Sequence, residues 1–260
     1  MILKRRPIKP SDYETILASD IDVYPTETPL TAETFSIWYA RHPEFGIIYY
    51  YDSNELVEGI EYEKEVIVGT CCVVPLTSQG WSKFTNGLLL ESELDSEVLF
   101  DNSQHSDSGE DEIGLHIYHM ERYPSWTSLK NKEENSERLG DLVLKSIQEI
   151  LEELRITNTN LKVVGLSGLC VSTSGINLFS NYYNCRERSY ISNEHILREP
   201  RQLNILSSHA HSNGGILVLE TNQQSELQQF LDRGYHYITR CKMLVLKPED
   251  CSVVWRYIRA

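Results

Sequence analysis

The sequence predicts an α/β fold, and three observations carry that prediction: a long amphipathic helix opening near Leu139, β-branched and aromatic runs on either side of it, and a strand that delivers the chain to its N-terminus. From Leu139 to Leu154 the apolar residues Leu142, Val143, Ile147, Ile150, Leu151 and Leu154 repeat at helical spacing. Asp141, Lys145, Gln148, Glu149 and Glu152 fall mostly on the opposite face. The run Ile-Gly-Leu-His-Ile-Tyr-His-Met (113–120) reads as the preceding strand, Ser136 as the helix N-cap and Asn160 as the exit into a turn. A strand feeding an open helix N-terminus builds an anion site, because the first turn leaves backbone N–H groups unpaired and the helix dipole adds partial positive charge. Phosphate binds such a corner without any lysine.

In chain order, residues 2–9 predict an edge strand, and Pro10-Ser11-Asp12-Tyr13 a cap and a first helix through Leu17. Thr31 caps a second helix marked by Phe35, Trp38 and Tyr39, which His42-Pro43-Glu44-Phe45-Gly46 ends. Ile47 to Tyr51 and Val66 to Val74 predict a hairpin across an acidic turn. Pro75 to Glu112 is long for a connection in a compact domain. It carries Trp81, Phe84 and Leu88-Leu89-Leu90, then nine Asp/Glu and no Lys/Arg between Glu91 and Glu112, which predicts a solvated loop. Leu161 to Leu166 reads as a strand. Near the end, Gly214 to Thr221 predicts a strand, Asn222 to Arg233 a helix, Gly234-Tyr235 its stop, and Tyr237 to Leu246 one final strand.

Arg138-Leu139-Gly140-Asp141-Leu142-Val143-Leu144 resembles the acetyl-CoA loop of the GNAT superfamily of N-acetyltransferases. In that family Q/R-x-x-G-x-G/A joins the fourth strand to the third helix, and its amides hold the cofactor pyrophosphate. Gly140 falls on the final Gly/Ala, Arg138 on the earlier Gly and Asn135 on the Gln/Arg. The order of strand, two helices and successive strands before this helix is also the GNAT order. The resemblance implies a GNAT-like mixed central sheet flanked by helices, in a single domain over 1–260 with insertions at 77–112 and 171–213. It implies acetyl-CoA as acyl donor, held by Met120, Ser136, Glu137, Arg138, Leu139, Gly140 and Asp141, and an unidentified small-molecule or peptide amine as acceptor.

The family pattern N-x-x-A-x-x-L-Y-x-x-x-G-F, followed by a strand bearing Met, has two placements. In the later one Gly234-Tyr235 fit Gly-Phe, Phe230 falls on the Tyr and Met243 on the Met; strand, helix and stop agree there, which favours it. The rival is Ser172-x-x-Gly175-x-x-Leu178-Phe179, which needs no gap but puts Tyr183 on the Gly.

Acetyl transfer needs a neutral amine, a polarised carbonyl and a protonated leaving thiolate. Family enzymes often take the base from the fourth strand and the acid from a Tyr of the fourth helix. Strand alternation puts His116 and Tyr118 on one face of 113–120, and Ile117, His119 and Glu121 on the other. Glu121 is the first choice for the base and His119 the second. Their structural alternatives are Glu121 paired with Arg122 or another cation, and a histidine satisfied by a backbone group. Tyr235, or water, is the acid, and Trp81 and Phe84 are either a substrate wall or a hydrophobic anchor. The rival functional class is a GNAT-like interaction protein that binds a partner instead of turning over acetyl-CoA.

The formal net charge of −14 opposes attraction to polyanions and suits a cationic substrate, so no nucleic-acid partner is expected. With no secretory apolar stretch at the N-terminus and no apolar run of membrane-spanning length, a soluble cytoplasmic protein is expected. The six cysteines lack framework or C-x-x-C spacing, which predicts reduced thiols. His209-x-His211 has no convincing third ligand, so no metal is expected.

Overall fold

The computed structural model describes residues 3–23, 30–52, 65–89, 91–102, 111–126, 138–170, 172–188, 194–198, 210–213, 216–220, 224–234, 236–239, 242–250 and 254–258. The first half runs β1 (Lys4–Pro7), α1 (Pro10–Val23), α2 (Ala32–Trp38), β2 (Gly46–Asp52), β3 (Glu65–Thr77), α3 (Ser78–Thr85) and β4 (Asp111–Arg122). Next come α4 (Leu139–Thr157), β5 (Leu161–Cys170) and α5 (Thr173–Asn177), which continues as a π-helical turn over Leu178–Tyr182. The remainder is β6 (Arg186–Arg188), β7 (Glu194–Arg198), β8 (Ala210–Asn213), β9 (Ile216–Glu220), α6 (Gln224–Asp232), β10 (His236–Thr239), β11 (Lys242–Leu246) and α7 (Trp255–Ile258).

Seven strands form one sheet in the order β1-β2-β3-β4-β5-β11-β6. Every neighbouring pair is antiparallel except β4–β5, which is parallel. A parallel pair needs a crossover, and α4 supplies it. Its stripe of Leu139, Val143, Leu144, Ile147, Ile150 and Leu151 is buried, and the buried Tyr49 hydroxyl on β2 meets Ser146 at 3.0 Å. α3 covers the other face. Tyr49 pairs with Gly69 of β3, whereas Gly114 under Trp81 pairs with Leu76, an odd number of residues further along β3 and therefore on the opposite side. Tyr13, Phe35 and Trp38 of α1 and α2 pack around Tyr118 on that same side. β10, β7, β9 and β8 make a separate antiparallel sheet in that order. Among the described residues no helix is long and apolar enough to cross a membrane.

The hairpin, the two N-terminal helices, the Thr31 cap and the long amphipathic helix stand as expected; the Thr31 hydroxyl accepts from the Thr34 amide. Several expectations are corrected. The first helix runs on to Val23. The stretch after Pro75 is not simply a solvated excursion: β3 continues to Thr77, α3 follows, and Leu94, Leu99 and Phe100 are buried inside the acidic run. Trp38 donates its indole N–H to the Leu94 carbonyl at 2.8 Å, so apolar side chains among the carboxylates anchor that segment. Trp81 and Phe84 are core residues at 4% and 0% exposure, which gives them to the anchor reading. The single strand expected over 237–246 is two, β10 and β11, which belong to different sheets. Residues 103–110, most of the Ser-rich piece, lie outside the described residues.

Asp12 ties the N-terminus to the sheet. It accepts from the Lys9 amide at 2.7 Å, as an acidic residue in the first turn of a helix does, and is held by two Arg6 guanidinium nitrogens at 2.7 and 2.9 Å. Burial pushes its carboxyl up, but the hydrogen bonds from Arg6 and Lys9 outweigh burial and leave it below its ordinary value. A carboxylate with a depressed folded-state pKa stabilises fully above its ordinary pKa, and that contribution fades as pH falls through the depressed value. Asp12→Asn is therefore expected to cost about 2–4 kcal/mol in urea unfolding at pH 7. The gap between variant and wild type should close progressively below about pH 4.

Candidate active site

β4 and β5 pair from Asp111↔Leu161 to Ile117↔Gly168 and then stop, although both strands continue. β4 runs on to Arg122 along β3, and β5 runs on to Cys170 along β11. Each strand follows its outer neighbour, and the two part. A cavity of about 330 Å³ opens in the gap, lined by Ile117, Tyr118 and Met120 of β4, by Leu169 and Cys170 of β5, and by Leu139 and Gly140 of α4.

Two features set where the strands separate. The first is a β-bulge: Ile117 pairs with Val73 and His119 with the adjacent Cys72, so Tyr118 is an extra residue that bends β4. The second is a clamp below the parting point. The Trp81 ring lies across both strands, so close that a methyl built on Gly114 or Gly165 would sit 2.1 or 2.0 Å from it. Its indole N–H donates to the Ser167 hydroxyl at 3.0 Å. Ser167 in turn meets His116 Nδ1 at 3.1 Å, and His116 Nε2 meets Glu91 at 2.8 Å. The Ser167 hydroxyl thus joins the indole to the imidazole, and the imidazole joins it to Glu91. His116 and Ser167, both 0% exposed, are cross-strand partners one step before the last pair. Ser167→Ala leaves the Trp81 and His116 nitrogens without this partner in the core. We expect it to lower stability by about 2–4 kcal/mol in denaturant titrations, since each orphaned buried group costs about 1–3 kcal/mol.

The bulge also corrects the expected alternation. His116 pairs with Val74, His119 with Cys72 and Glu121 with Thr70, so these three share a face, and Ile117 is on the other with Met120. His119 Nε2 lies 3.3 Å from Glu121 Oε2, and Ser19 of α1 donates to the same oxygen. The hydrogen bond from His119, helped by Ser19 and opposed by burial, holds the Glu121 carboxyl below its ordinary range. Glu121 and His119 are thus brought together on the α1–α2 side of the sheet, while α4 lies on the side facing Met120. The expected Glu121–Arg122 pair is not formed among the described residues; Arg122 lines the cavity.

At the α4 N-terminus the cap is Arg138, not the expected Ser136, and among the described residues no side-chain hydrogen bond caps it. The Arg138 backbone is ordinary extended chain, φ −72° and ψ 146°, so a non-glycine residue is accommodated there without strain. The Asp141 and Leu142 amides turn back to its carbonyl at 3.0 and 3.1 Å, and Leu139 and Gly140 precede them against the cavity. Tyr182 donates to Asp141, and the Arg138 guanidinium lies 5.5 Å from the centre of the same ring. Ser136, Glu137 and Tyr235 lie outside the described residues.

The helix beside the cavity is α5 with its π-turn, the rival placement, and not the 222–235 segment that was favoured. Gly175, Leu178 and Phe179 line the cavity, Ser172 caps the helix by accepting from the Gly175 amide at 3.0 Å, and the Tyr183 hydroxyl donates to the Gly140 carbonyl at 2.9 Å. The reason is topological: the chain leaving β5 at the parting point must turn there, whereas α6 lies between β9 and β10 of the other sheet. The ungapped Ser172-to-Phe179 spacing was the signal. A methyl on Gly140 would meet Leu178 at 2.9 Å, so the Gly140 α-carbon packs against the π-turn while the residue still lines the cavity.

No family model and no curated protein matches the chain. Solved structures similar to it include Arabidopsis thaliana NAA60 in complex with acetyl-CoA (12% identity, 95% of this chain and 99% of that one, TM-score 0.43). Others are Ard1 from Thermoplasma volcanium (10%, 84% and 95%, TM-score 0.35) and a putative acetyltransferase from Pyrococcus horikoshii (12%, 94% and 89%, TM-score 0.40). The described residues form a mixed seven-stranded sheet with helices on both faces. At these identities and scores the roles of individual residues rest on the geometry of the site itself.

Proposed function

We propose that the chain is one GNAT-like domain that transfers an acyl group from acetyl-CoA to an amine, directly and without a covalent enzyme intermediate. The observation that carries this reading is the cavity between the parted β4 and β5, whose wall includes Leu139 and Gly140 in the first turn of α4. In the proposed complex the first-turn amides around Leu139 and Gly140 face the diphosphate, with Arg138 and Arg122 adding charge-assisted contacts. Asp141 follows in the same turn. The pantetheine arm follows the gap past Met120 and brings the thioester to the bulge at Tyr118.

The amine approaches from the α1–α2 side, where His119 and Glu121 stand. Its nitrogen attacks the thioester carbonyl, the carbon–sulfur bond breaks, and the proton released from nitrogen passes to the His119–Glu121 pair, directly or through water. The depressed pKa of Glu121 makes it an ionised partner and a weak proton acceptor, which favours His119 as the base and Glu121 as the group that orients it. Phe179 falls where the family pattern has Tyr, so the departing thiolate takes its proton from water. The negative charge of the protein suits a cationic acceptor.

One observation favours the second reading, a partner-binding GNAT-like protein: Tyr182 is drawn across the first turn of α4 by Asp141 and Arg138. Calorimetric titration with acetyl-CoA separates the two. Saturable binding that weakens about tenfold or more in Arg138→Glu supports the transferase, because the change replaces an attractive charge with a repulsive one beside the diphosphate. No uptake by the folded wild type sinks it. Once an acceptor amine is found, His119→Gln is expected to lower kcat by about 10²-fold or more while leaving acetyl-CoA affinity within about threefold of wild type.

A further inference from the structure

The inner end of the crevice is closed by an aromatic ring whose placement the fold enforces. Gly168 is the last residue of β5 paired to β4. The Phe179 ring lies directly on it, so that a methyl at position 168 would fall 2.5 Å from two ring carbons. Phe179 is 3% exposed, and Tyr183 backs it edge-to-face at 5.3 Å between centroids. Tyr183 is in turn tied to the Gly140 carbonyl, so the ring is wedged between the parting point of the strands and the start of α4. On the sheet's other face the Trp81 clamp holds the two strands together just below Gly168. Neither wall of the inner end can retreat without breaking buried hydrogen bonds.

We propose that Phe179 is the residue that limits the donor's acyl group to acetyl or a group of similar size, by occupying the space into which a longer chain would extend. The inference rests on the donor reading above. A thioester carried inward along the gap meets Ile117 on one strand and the Phe179 ring over Gly168 on the other. Each methylene added beyond acetyl must displace a ring packed in the core, and overpacking of this kind is as unfavourable as a cavity. The same ring lacks a hydroxyl, so its contribution is steric and does not involve proton transfer.

The test is the pair of dissociation constants for acetyl-CoA and hexanoyl-CoA, measured by calorimetry on the full chain for wild type, Phe179→Leu and Phe179→Ala. Unacylated CoA serves as a control for the diphosphate corner. Wild type should bind hexanoyl-CoA about tenfold or more weakly than acetyl-CoA. Phe179→Ala should level or invert that ratio with CoA affinity within about threefold of wild type, and Phe179→Leu should fall between. The leucine variant keeps an apolar filler at the position and so stays informative if the alanine variant does not fold. Equal binding of the two donors by wild type, or an unchanged ratio in a folded Phe179 variant that still binds CoA, overturns the inference and leaves the transferase reading standing. If wild type binds neither donor nor CoA, the transferase reading fails and the acyl limit falls with it.

Discussion

The site depends on one constraint: two parallel strands held together at one end and released at the other. β4 and β5 share hydrogen bonds only as far as Ile117 and Gly168, and each is then committed to a different antiparallel neighbour. A sheet with a gap at its centre would normally close, because unpaired strand edges are costly in a buried setting. Here closure is opposed by the extra residue at Tyr118, which bends β4, and by a helix seated on each side. The clamp formed by Trp81, Ser167, His116 and Glu91 keeps the gap from spreading downward, since moving the strands apart there would orphan several buried polar groups at once.

The same gap lets two faces of the sheet communicate. α4 presents its first turn on one side, and α1 brings Ser19 to the His119–Glu121 pair on the other. The charge distribution fits this division. The protein is acidic as a whole, yet the charged side chains that line the cavity are Arg122 and Arg138, and the Glu121 carboxylate stands on the opposite face of the sheet. Asp141 would oppose an anion at the α4 corner, and its hydrogen bond from Tyr182 engages that carboxylate.

Much of the framework was legible along the chain. The helix over Leu139–Thr157, the hairpin, the strand into the α4 corner and the Thr31 cap all follow from local rules: apolar spacing at 3.6 or 2, β-branched runs, and a hydroxyl three residues before the amide it caps. Of the candidate site, Met120, Arg138, Leu139 and Gly140 were found at the cavity and His119 with Glu121 as a pair, because they sit on elements whose ends local patterning marks well.

What eluded the linear reading were facts of pairing between distant segments. The bulge at Tyr118 is defined by which β3 residues stand opposite, so alternation counted along β4 alone put His116 on the wrong side. The buried helix of Trp81 and Phe84 hid beside an acidic run because composition averages over a few apolar anchors. The choice of α5 over α6 at the cavity turned on which strand each helix follows into which sheet, a property of the whole topology. Local sequence thus determined most of the helices and strands, the long helix after β4 among them, because those rest on neighbours a few residues away. Only the tertiary structure decided where β4 and β5 part and what ring closes the gap, since both depend on contacts between residues that no short stretch of chain contains together.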